Sequence, residues 1–298
     1  FFTPVLETAV QAASQLFESL DDLVQSVQRT GYYGGIRLLK AAVKKFAEYC
    51  RDKGHRLTDK NFTMRYDTNI PRQVGLGGSS AIIMAAMKAL LGFYGVEIME
   101  HALPNVVLGA ETEELGLTAG LQDRVVQSYE GLVYMDFDRK FMDEHGYGRY
   151  ERLDHALLPP LYVAYRTDLS QESSDAHIRV RDRYDKGDQV VVDTMNRIAS
   201  LADEAREALA THNGHELAGI MDRNFDLRAS IYPISDENRE MVERARSVGA
   251  SCKFCGSGGA GGGTYDGDGM LQKLRRTMEE GGYEFIVPDL VGPRPKQQ

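Results

Sequence analysis

A run of glycine and serine leading into a long apolar segment constrains this chain more than any other feature. Residues 71–91 read PRQVGLGGSSAIIMAAMKALL, and the small residues before the apolar run are Gly75, Gly77, Gly78, Ser79 and Ser80. Glycine lets the backbone approach a ligand closely, and serine at a helix start adds a cap to the positive end of the helix dipole. The pattern predicts an anion site at the start of a helix over 79–94. That helix is apolar on every side, so we expect it to be buried.

This stretch alone leaves two interpretations open. A tight glycine turn with ordinary serine capping fits it as well as a phosphate loop does. The segment is not a Walker A loop, because no lysine follows the glycines at the required spacing.

Composition limits the class of protein. The 298 residues are 42% hydrophobic and 27% charged, which is typical of a globular chain of one large domain or two smaller ones. No apolar run is long enough to span a membrane, and a net charge of −9 argues against nucleic acid or an anionic membrane as a partner. Three cysteines suit a reducing compartment, so we expect a cytoplasmic protein. The chain starts with Phe1, and we expect it to be incomplete at its amino terminus.

Hydrophobic periodicity predicts a mixed α+β chain. Helical patterns cover 17–28 (with Ser19 as cap and Gly31 as stop), 34–50, 79–94, 104–115, a stretch ending at 128, 174–186, 189–211, 214–228, 236–248 and 270–282. Strand patterns cover 61–71, 131–137, 161–167 and 283–289.

Two acidic residues follow the loop at a suggestive spacing. Glu111 and Asp123 stand twelve positions apart in GAETEELGLTAGLQDRV, residues 109–125. Magnesium-dependent phosphoryl transfer needs hard oxygen ligands for the metal and a carboxylate near the attacking hydroxyl. A loop serine and Glu111 could hold the metal, and Asp123 could accept the proton. Each acid taken alone is more often a solvated surface residue.

Two further motifs have competing explanations. GSGGAG at 256–261 fits a dinucleotide fingerprint, but a Rossmann loop must run directly into a helix and GGTYDGDG follows instead. CKFC has the spacing of zinc and redox sites, but no second ligand pair accompanies it. We therefore expect Cys252 and Cys255 to pack as small apolar residues.

Taken in order, these motifs resemble the GHMP small-molecule kinases. Pro71–Ala81 is similar to that family's phosphate loop, and Ala110–Glu111 with Gly120–Asp123 is similar to its metal-ligand and catalytic motifs. The stretch GASCKFCGSGGA at 249–260 resembles its third glycine-rich motif. The resemblance begins after the family's first motif. It also implies a hydrophobic strand after Ala260, where GGGTYDGDG suits a strand poorly.

The resemblance implies a fold, a domain organisation and a site. The fold is a two-domain α+β architecture, with an amino-terminal domain like domain 2 of ribosomal protein S5 over 1–157 and a ferredoxin-like domain over 158–298. The catalytic residue is Asp123, and Mg²⁺ is held by Ser80 and Glu111. The residues implied to bind ATP phosphates are Gly75, Leu76, Gly77, Gly78, Ser79, Ser80 and Ala81, and the third motif contributes Gly256, Ser257, Gly258 and Gly259.

A more specific likeness concerns the substrate. GYYGGIRLL at 31–39, YDTNIPRQVGLGGSSAI at 66–82 and AGLQDRVVQSYEGLVYMDF at 119–137 resemble the plant-type glucuronokinase branch. This implies phosphorylation of the anomeric hydroxyl of D-glucuronate by ATP, which gives glucuronate 1-phosphate for UDP-glucuronate synthesis. A guanidinium would bind the substrate carboxylate, and the candidates are Arg72, Arg124 and Arg37. A structural ion pair is the commoner role for any one of them.

Alternatives remain at this point. One is a kinase of the same family for galactose, arabinose or galacturonate. Another is a non-catalytic sensor of the same fold that binds a sugar or nucleotide. The expected partners are ATP and a sugar, with no nucleic acid and no membrane, in a monomer or weak homodimer.

Overall fold

A computed structural model describes residues 15–32, 34, 36–168 and 174–290, with the side chains of 174–177 excepted. The fold combines helices with a four-stranded antiparallel sheet and a two-stranded sheet, so the predicted α+β class is confirmed. The chain divides into two compact units whose segments alternate along the sequence. The amino-terminal unit comprises Phe1–Asn69, Ser79–Glu130 and Asp136–Tyr150, and the carboxy-terminal unit comprises Ile70–Gly78, Gly131–Met135 and Glu151–Gln298. The functional division at 157/158 stays a prediction.

The amino-terminal unit is mainly helical. Its helices are α1 (Leu20–Thr30), α2 (Arg37–Asp52), α3 (Gly78–Tyr94), α4 (Leu103–Gly109), a π-helical turn (Ala110–Glu114), α5 (Gln122–Tyr129) and α6 (Arg139–His145). The inner faces of α2, α3 and α4 meet in one core, which includes Phe46, Ile83, Met87, Leu90 and Val107. Burial of such side chains contributes roughly 1.5–3 kcal/mol each and holds the helices together.

Local signals set the bounds of α1. The Ser19 side chain accepts a hydrogen bond from the Asp22 backbone N–H at 3.0 Å, which satisfies one of the free donors at the helix start. Gly31 ends the helix with a positive φ of 75°, and its N–H donates to Val27 O. The predicted cap and stop residues of this helix are confirmed.

Helix α3 is only partly buried. Ile83, Met87 and Leu90 point into the core, whereas Ala85, Ala89 and Phe93 are exposed. The expectation of complete burial was wrong, because alanine on an outer helix face adds little apolar surface and tolerates water. The composition of this helix therefore did not reveal which face is outward.

The predicted strand over 61–71 is wrong. The structure assigns no strand to these residues, although Phe62 and Met64 pack against the core of the amino-terminal unit as the alternation requires. A strand exists only when a neighbouring strand supplies hydrogen bonds. None of the described strands pairs with this segment, so the pattern reports side-chain burial without a ladder.

The carboxy-terminal unit contains a four-stranded antiparallel sheet. Its strands are β3 (Leu161–Tyr165), β4 (Lys253–Phe254), β5 (Ala260–Thr264) and β6 (Glu284–Ile286), in the order β4-β5-β3-β6. The helices α7 (Ser174–Asp185), α8 (Gln189–Ala210), α9 (Gly214–Ile231) and α10 (Asp236–Ser247) connect β3 to β4, and α11 (Gly267–Glu280) connects β5 to β6. If the four helices between β3 and β4 are counted as one helical layer, the elements follow the order βαββαβ. This is the order of the predicted ferredoxin-like fold.

Strand β5 overturns the expectation that AGGGT suits a strand poorly. All five of its residues are buried, and it pairs with both β3 and β4. A Cβ at Gly263 would lie 1.8 Å from the Ser251 carbonyl oxygen, and one at Gly262 would lie 3.0 Å from that of Tyr162. The glycines therefore permit a close backbone approach that weak strand propensity does not forbid.

Three further short elements lie between Leu132 and Leu157 in the sequence. Strands β1 (Leu132–Asp136) and β2 (Arg149–Leu153) form a two-stranded sheet, and a 3₁₀ turn covers His155–Leu157. No helix within the described ranges is both long and apolar enough to cross a membrane.

Candidate active site

The glycine loop has the backbone geometry that its sequence predicts. Gly75 and Gly77 have positive φ angles of 71° and 65°, values that residues with a side chain rarely adopt. Leu76 lies between them, and Gly78 begins α3, a helix of 17 residues. Ser79, Ser80 and Ala81 form the first turn of α3, at the positive end of the helix dipole. The start of α3 is therefore suited to a phosphate.

Within the carboxy-terminal unit, this loop contacts the third glycine-rich motif. A Cβ at Gly256 would lie 2.4 Å from Gly75 O, and a Cβ at Gly75 would lie 2.9 Å from Gly258 O and 3.0 Å from Ser257 N. Neither position has room for a side chain. Two loops about 180 residues apart in sequence are therefore packed backbone against backbone.

The third motif is itself held by a buried side chain. Gly258 and Gly259 have φ angles of 113° and 81°, and Gly259 N–H donates to Asn238 Oδ1 at 2.9 Å. Asn238 is 2% exposed at the third position of α10. Sequence analysis missed this residue, because nothing local distinguishes it from a surface asparagine.

Glu111 lies in the π-helical turn and faces the start of α3. Glu111 is 1% exposed, and its Oε1 accepts a hydrogen bond from Ser79 Oγ at 2.8 Å. π-Helical turns are rare and often occur at functional sites. The buried carboxylate therefore has a specific partner in the loop–helix motif, and that partner is Ser79.

Arg124 binds the other oxygen of the same carboxylate. Its Nε donates to Glu111 Oε2 at 2.7 Å, Nη2 donates to the same oxygen, and Nη1 donates to Gly120 O at 2.8 Å. Arg124 is 5% exposed. The other two arginine candidates, Arg37 and Arg72, are exposed. Of the three, Arg124 alone is committed to a buried ion pair.

Asp123 stands beside this pair but faces solvent. It occupies the first turn of α5, its side chain is 47% exposed, and Oδ2 lies 3.5 Å from Arg124 Nη1. The exposed carboxylate is accessible to a bound molecule. The predicted base thus lies one residue away from the arginine that holds the predicted metal ligand.

Ser80 is held from the same helix. It is fully buried, and its Oγ accepts a hydrogen bond from Gln127 Nε2 at 2.9 Å. Gln127 was missed at the sequence level. The available signal was its position three residues after Arg124, which puts both side chains on one face of α5.

The donor set suits a hard divalent cation. Glu111 and Ser80 offer oxygen donors of the kind Mg²⁺ prefers, and Mg²⁺ in phosphoryl-transfer sites is commonly held by one or two carboxylates together with substrate phosphates. Over the described part of the chain, no cluster of three or more His, Cys, Asp or Glu is arranged to hold a metal unaided. The residues therefore fit an ion that arrives with nucleotide phosphates.

A second network anchors the far end of the π turn. Glu114 Oε2 accepts from Tyr32 Oη at 2.6 Å and pairs with Lys44, which also contacts Glu48 at 3.1 Å. Burial alone would raise the pKa of Glu114, but the hydrogen bonds from Lys44 and Tyr32 hold that pKa below its usual value. Burial and the same carboxylate raise the pKa of Tyr32. The network fixes the turn to α2 and to the loop before it.

The two cysteines of CKFC do not face each other. A Cβ at Gly261 would meet the Cys252 sulfur at 3.0 Å, whereas one at Gly262 would meet the Cys255 sulfur at 3.2 Å. Successive residues of a strand point to opposite faces, so the two thiols lie on opposite sides of the sheet. Burial raises the pKa of Cys252 to about 12, which makes it an inert packing group, as predicted. Cys255 is exposed, contrary to that prediction.

Comparison with known proteins identifies the family. Residues 37–131 match the model of the GHMP kinases N terminal domain. A probable glucuronokinase 2 of Arabidopsis thaliana is 51% identical over 252 residues, which cover 82% of this chain and 68% of the relative. The chain belongs to the GHMP kinase family. Glucuronokinase 1 of the same plant is 49% identical over 251 residues, with the same coverage.

Solved structures share the fold. A Lin0012 protein from Listeria innocua superposes with a TM-score of 0.72 at 16% identity, covering 85% of this chain and 78% of that one. The Lactococcus lactis galactokinase complexed with galactose gives a TM-score of 0.67 at 16% identity, with 86% and 76% coverage. The predicted GHMP kinase architecture and family are confirmed. At such low identity these structures speak for the fold alone.

Proposed function

We propose that this GHMP kinase transfers the γ-phosphoryl group of ATP to the anomeric hydroxyl of D-glucuronate, giving glucuronate 1-phosphate. The observation that carries the proposal is the buried set of Ser80, Glu111 and Arg124 beside the exposed Asp123. The exposed Ser79 donates a hydrogen bond to Glu111 from the same helix start. About half identity to two glucuronokinases supports the choice of sugar.

The loop and the start of α3 would bind the phosphates. Phosphoryl transfer depends on positioning and charge neutralisation more than on covalent chemistry. The N–H groups from Gly75 to Ala81 would donate to phosphate oxygens at the positive end of the helix. Ser80 and Glu111 would hold Mg²⁺, which when bound would neutralise charge on the β- and γ-phosphates.

Asp123 would act on the sugar. A carboxylate close to the anomeric hydroxyl can orient it and accept its proton as the phosphorus–oxygen bond forms. Arg124 Nη1 lies 3.5 Å from Asp123 Oδ2, so a fixed cation stands next to the proposed base. The exposure of Asp123 keeps its carboxylate accessible to a substrate.

The uronate carboxylate calls for a guanidinium. Arg37 and Arg72 are exposed and free to move toward a ligand, whereas the guanidinium of Arg124 is engaged with Glu111. We therefore favour Arg37 or Arg72 as the group that selects an acidic sugar. A bidentate contact of this kind discriminates strongly against a neutral sugar.

The test is ADP release from Mg·ATP with four sugars. D-Glucuronate, D-galacturonate, D-galactose and L-arabinose are compared, using the parent chain and Asp123→Asn. We expect release with glucuronate and a fall in kcat of roughly 10²–10⁴-fold in the variant, the usual contribution of a positioned base.

Two results would contradict the proposal. Fastest release with a neutral sugar would remove the uronate assignment while leaving a GHMP kinase. An unchanged kcat in Asp123→Asn would contradict the assignment of Asp123 as the general base. Arg37→Met and Arg72→Met serve as a further check. Replacing the arginine that binds the substrate carboxylate should raise KM for glucuronate and leave KM for ATP unchanged.

A further inference from the structure

We infer that Arg124 and Gln127 are positioning residues that hold the two metal ligands, so that helix α5 sets the distance from the metal to the catalytic carboxylate. The inference rests on the proposed function and deepens it. It assigns Arg124 to the metal side of the site instead of to the substrate carboxylate.

The first contact is the one between Arg124 and Glu111. Two nitrogens of the guanidinium donate to Oε2, which leaves Oε1 to the Ser79 hydroxyl. A hydroxyl is an easily displaced partner, whereas a buried guanidinium is not. Glu111 is therefore prepared to offer Oε1 to a cation while Arg124 keeps the carboxylate in place.

The second contact runs from the same face of α5. Gln127 Nε2 donates to Ser80 Oγ at 2.9 Å, which holds that oxygen in place. Arg124 also binds Gly120 O at 2.8 Å, which fixes the turn that leads into Asp123. One short helix thus connects both ligands and the base.

The arrangement has a physical consequence for metal affinity. Groups that hydrogen-bond a metal ligand orient it, and losing one typically costs about 10–100-fold in affinity or activity. A purely structural ion pair would instead lower the stability of the fold and leave the metal affinity of the folded protein unchanged. The two roles therefore predict different measurements.

The experiment measures Mn²⁺ binding in place of Mg²⁺. The protein is mixed with a non-hydrolysable ATP analogue, with the protein in molar excess over the analogue. Mn²⁺ is then titrated into this mixture, and the concentration of free Mn²⁺ is followed by electron paramagnetic resonance. The variants are Arg124→Met, Arg124→Lys and Gln127→Met. The control is Lys88→Met, because Lys88 also connects α3 to the end of α5, through Gln127 O at 2.9 Å and Glu130 at 2.8 Å, without touching either ligand.

We expect at least about tenfold weaker Mn²⁺ binding in Arg124→Met and Gln127→Met. Arg124→Lys should recover part of the loss, since it keeps the charge but cannot reach both Glu111 and Gly120. Lys88→Met should bind Mn²⁺ like the parent. Binding of the analogue without metal should be the same in all of them.

Other outcomes would overturn the inference. Parent-like Mn²⁺ binding in Gln127→Met and Arg124→Lys, both of which should fold, would reduce α5 to a structural helix. An equal loss of Mn²⁺ affinity in Lys88→Met would mean that any contact between α3 and α5 affects metal binding. A parent chain that binds no Mn²⁺ would also exclude the inference. If no sugar is phosphorylated but the Mn²⁺ pattern holds, the proposed substrate fails and the inference stands.

Discussion

Replacing Gly256 with alanine is expected to displace the glycine loop at Gly75, which is the proposed phosphate loop. The added Cβ would lie 2.4 Å from Gly75 O and 3.2 Å from the same carbonyl carbon, where ordinary contact begins at 3.4 Å. The obstacle is backbone, which has no rotamer to change. The two loops must therefore separate by about 1.0 Å.

The size of the effect follows from that displacement. A misplacement of about 1 Å in a positioned reaction can cost roughly 10²-fold in rate, or about 2.7 kcal/mol in transition-state stabilisation. Overpacking in a close-fitting region typically costs about 1–3 kcal/mol in stability. We therefore expect Gly256→Ala to fold with a lower Tm. We also expect its rate to fall more than the loss of folded protein alone would explain.

The assay is steady-state kinetics at saturating sugar, with Tm measured in parallel. The matched control is Gly219→Ala in α9, where a Cβ would meet nothing within 4 Å. This control should be neutral or up to about 1 kcal/mol more stable, because alanine favours a helix interior. Parent-like kcat/KM for ATP in Gly256→Ala would refute the view that the loops must touch backbone to backbone.

Three other predictions concern stability. Gly263→Ala, whose Cβ would lie 1.8 Å from Ser251 O, should be among the most destabilising glycine substitutions in chemical denaturation, at about 3 kcal/mol or more; a loss below 1 kcal/mol would contradict it. Ser19→Ala should cost about 1 kcal/mol, as the cap of α1 is lost, and an unchanged denaturation midpoint would count against that cap. The Glu114 pKa lies below its usual 4.5, so its contribution to stability is complete above that pH and is lost as the pH falls through the lowered value. Glu114→Gln, which weakens the pair with Lys44, should be less stable at pH 7 and lose less stability on acidification, and parallel acid profiles would refute this.

Features encoded locally could be predicted from the sequence. The cap and stop of α1, the glycine loop before α3 and the succession of helices in the second half all depend on neighbouring residues or helical periodicity. The three motifs could be recognised for the same reason, since each keeps its spacing within a short segment. The family and the fold followed from them.

Features that depend on distant partners could not be predicted in this way. Residues 61–71 alternate like a strand, but no described strand pairs with them. Strand β5 has three glycines and little strand propensity, yet it is central because β3 and β4 approach it closely on both sides. In both cases the partner decides the structure, and the partner is far away in the sequence.

The relation between Arg124 and Glu111 shows the same limit within the site. Both residues were candidates, but an arginine beside a predicted base suggests a substrate contact, and a run of three glutamates suggests a solvated surface. The π turn separates the three acids in space: Glu111 meets Arg124, Glu114 meets Lys44, and Glu113 remains mostly exposed. A regular α-helix would bring residues three apart onto nearly one face, where two carboxylates would repel each other. The extra residue in this turn therefore lets one short acidic segment supply both a buried carboxylate, which we propose as a metal ligand, and an anchor to α2.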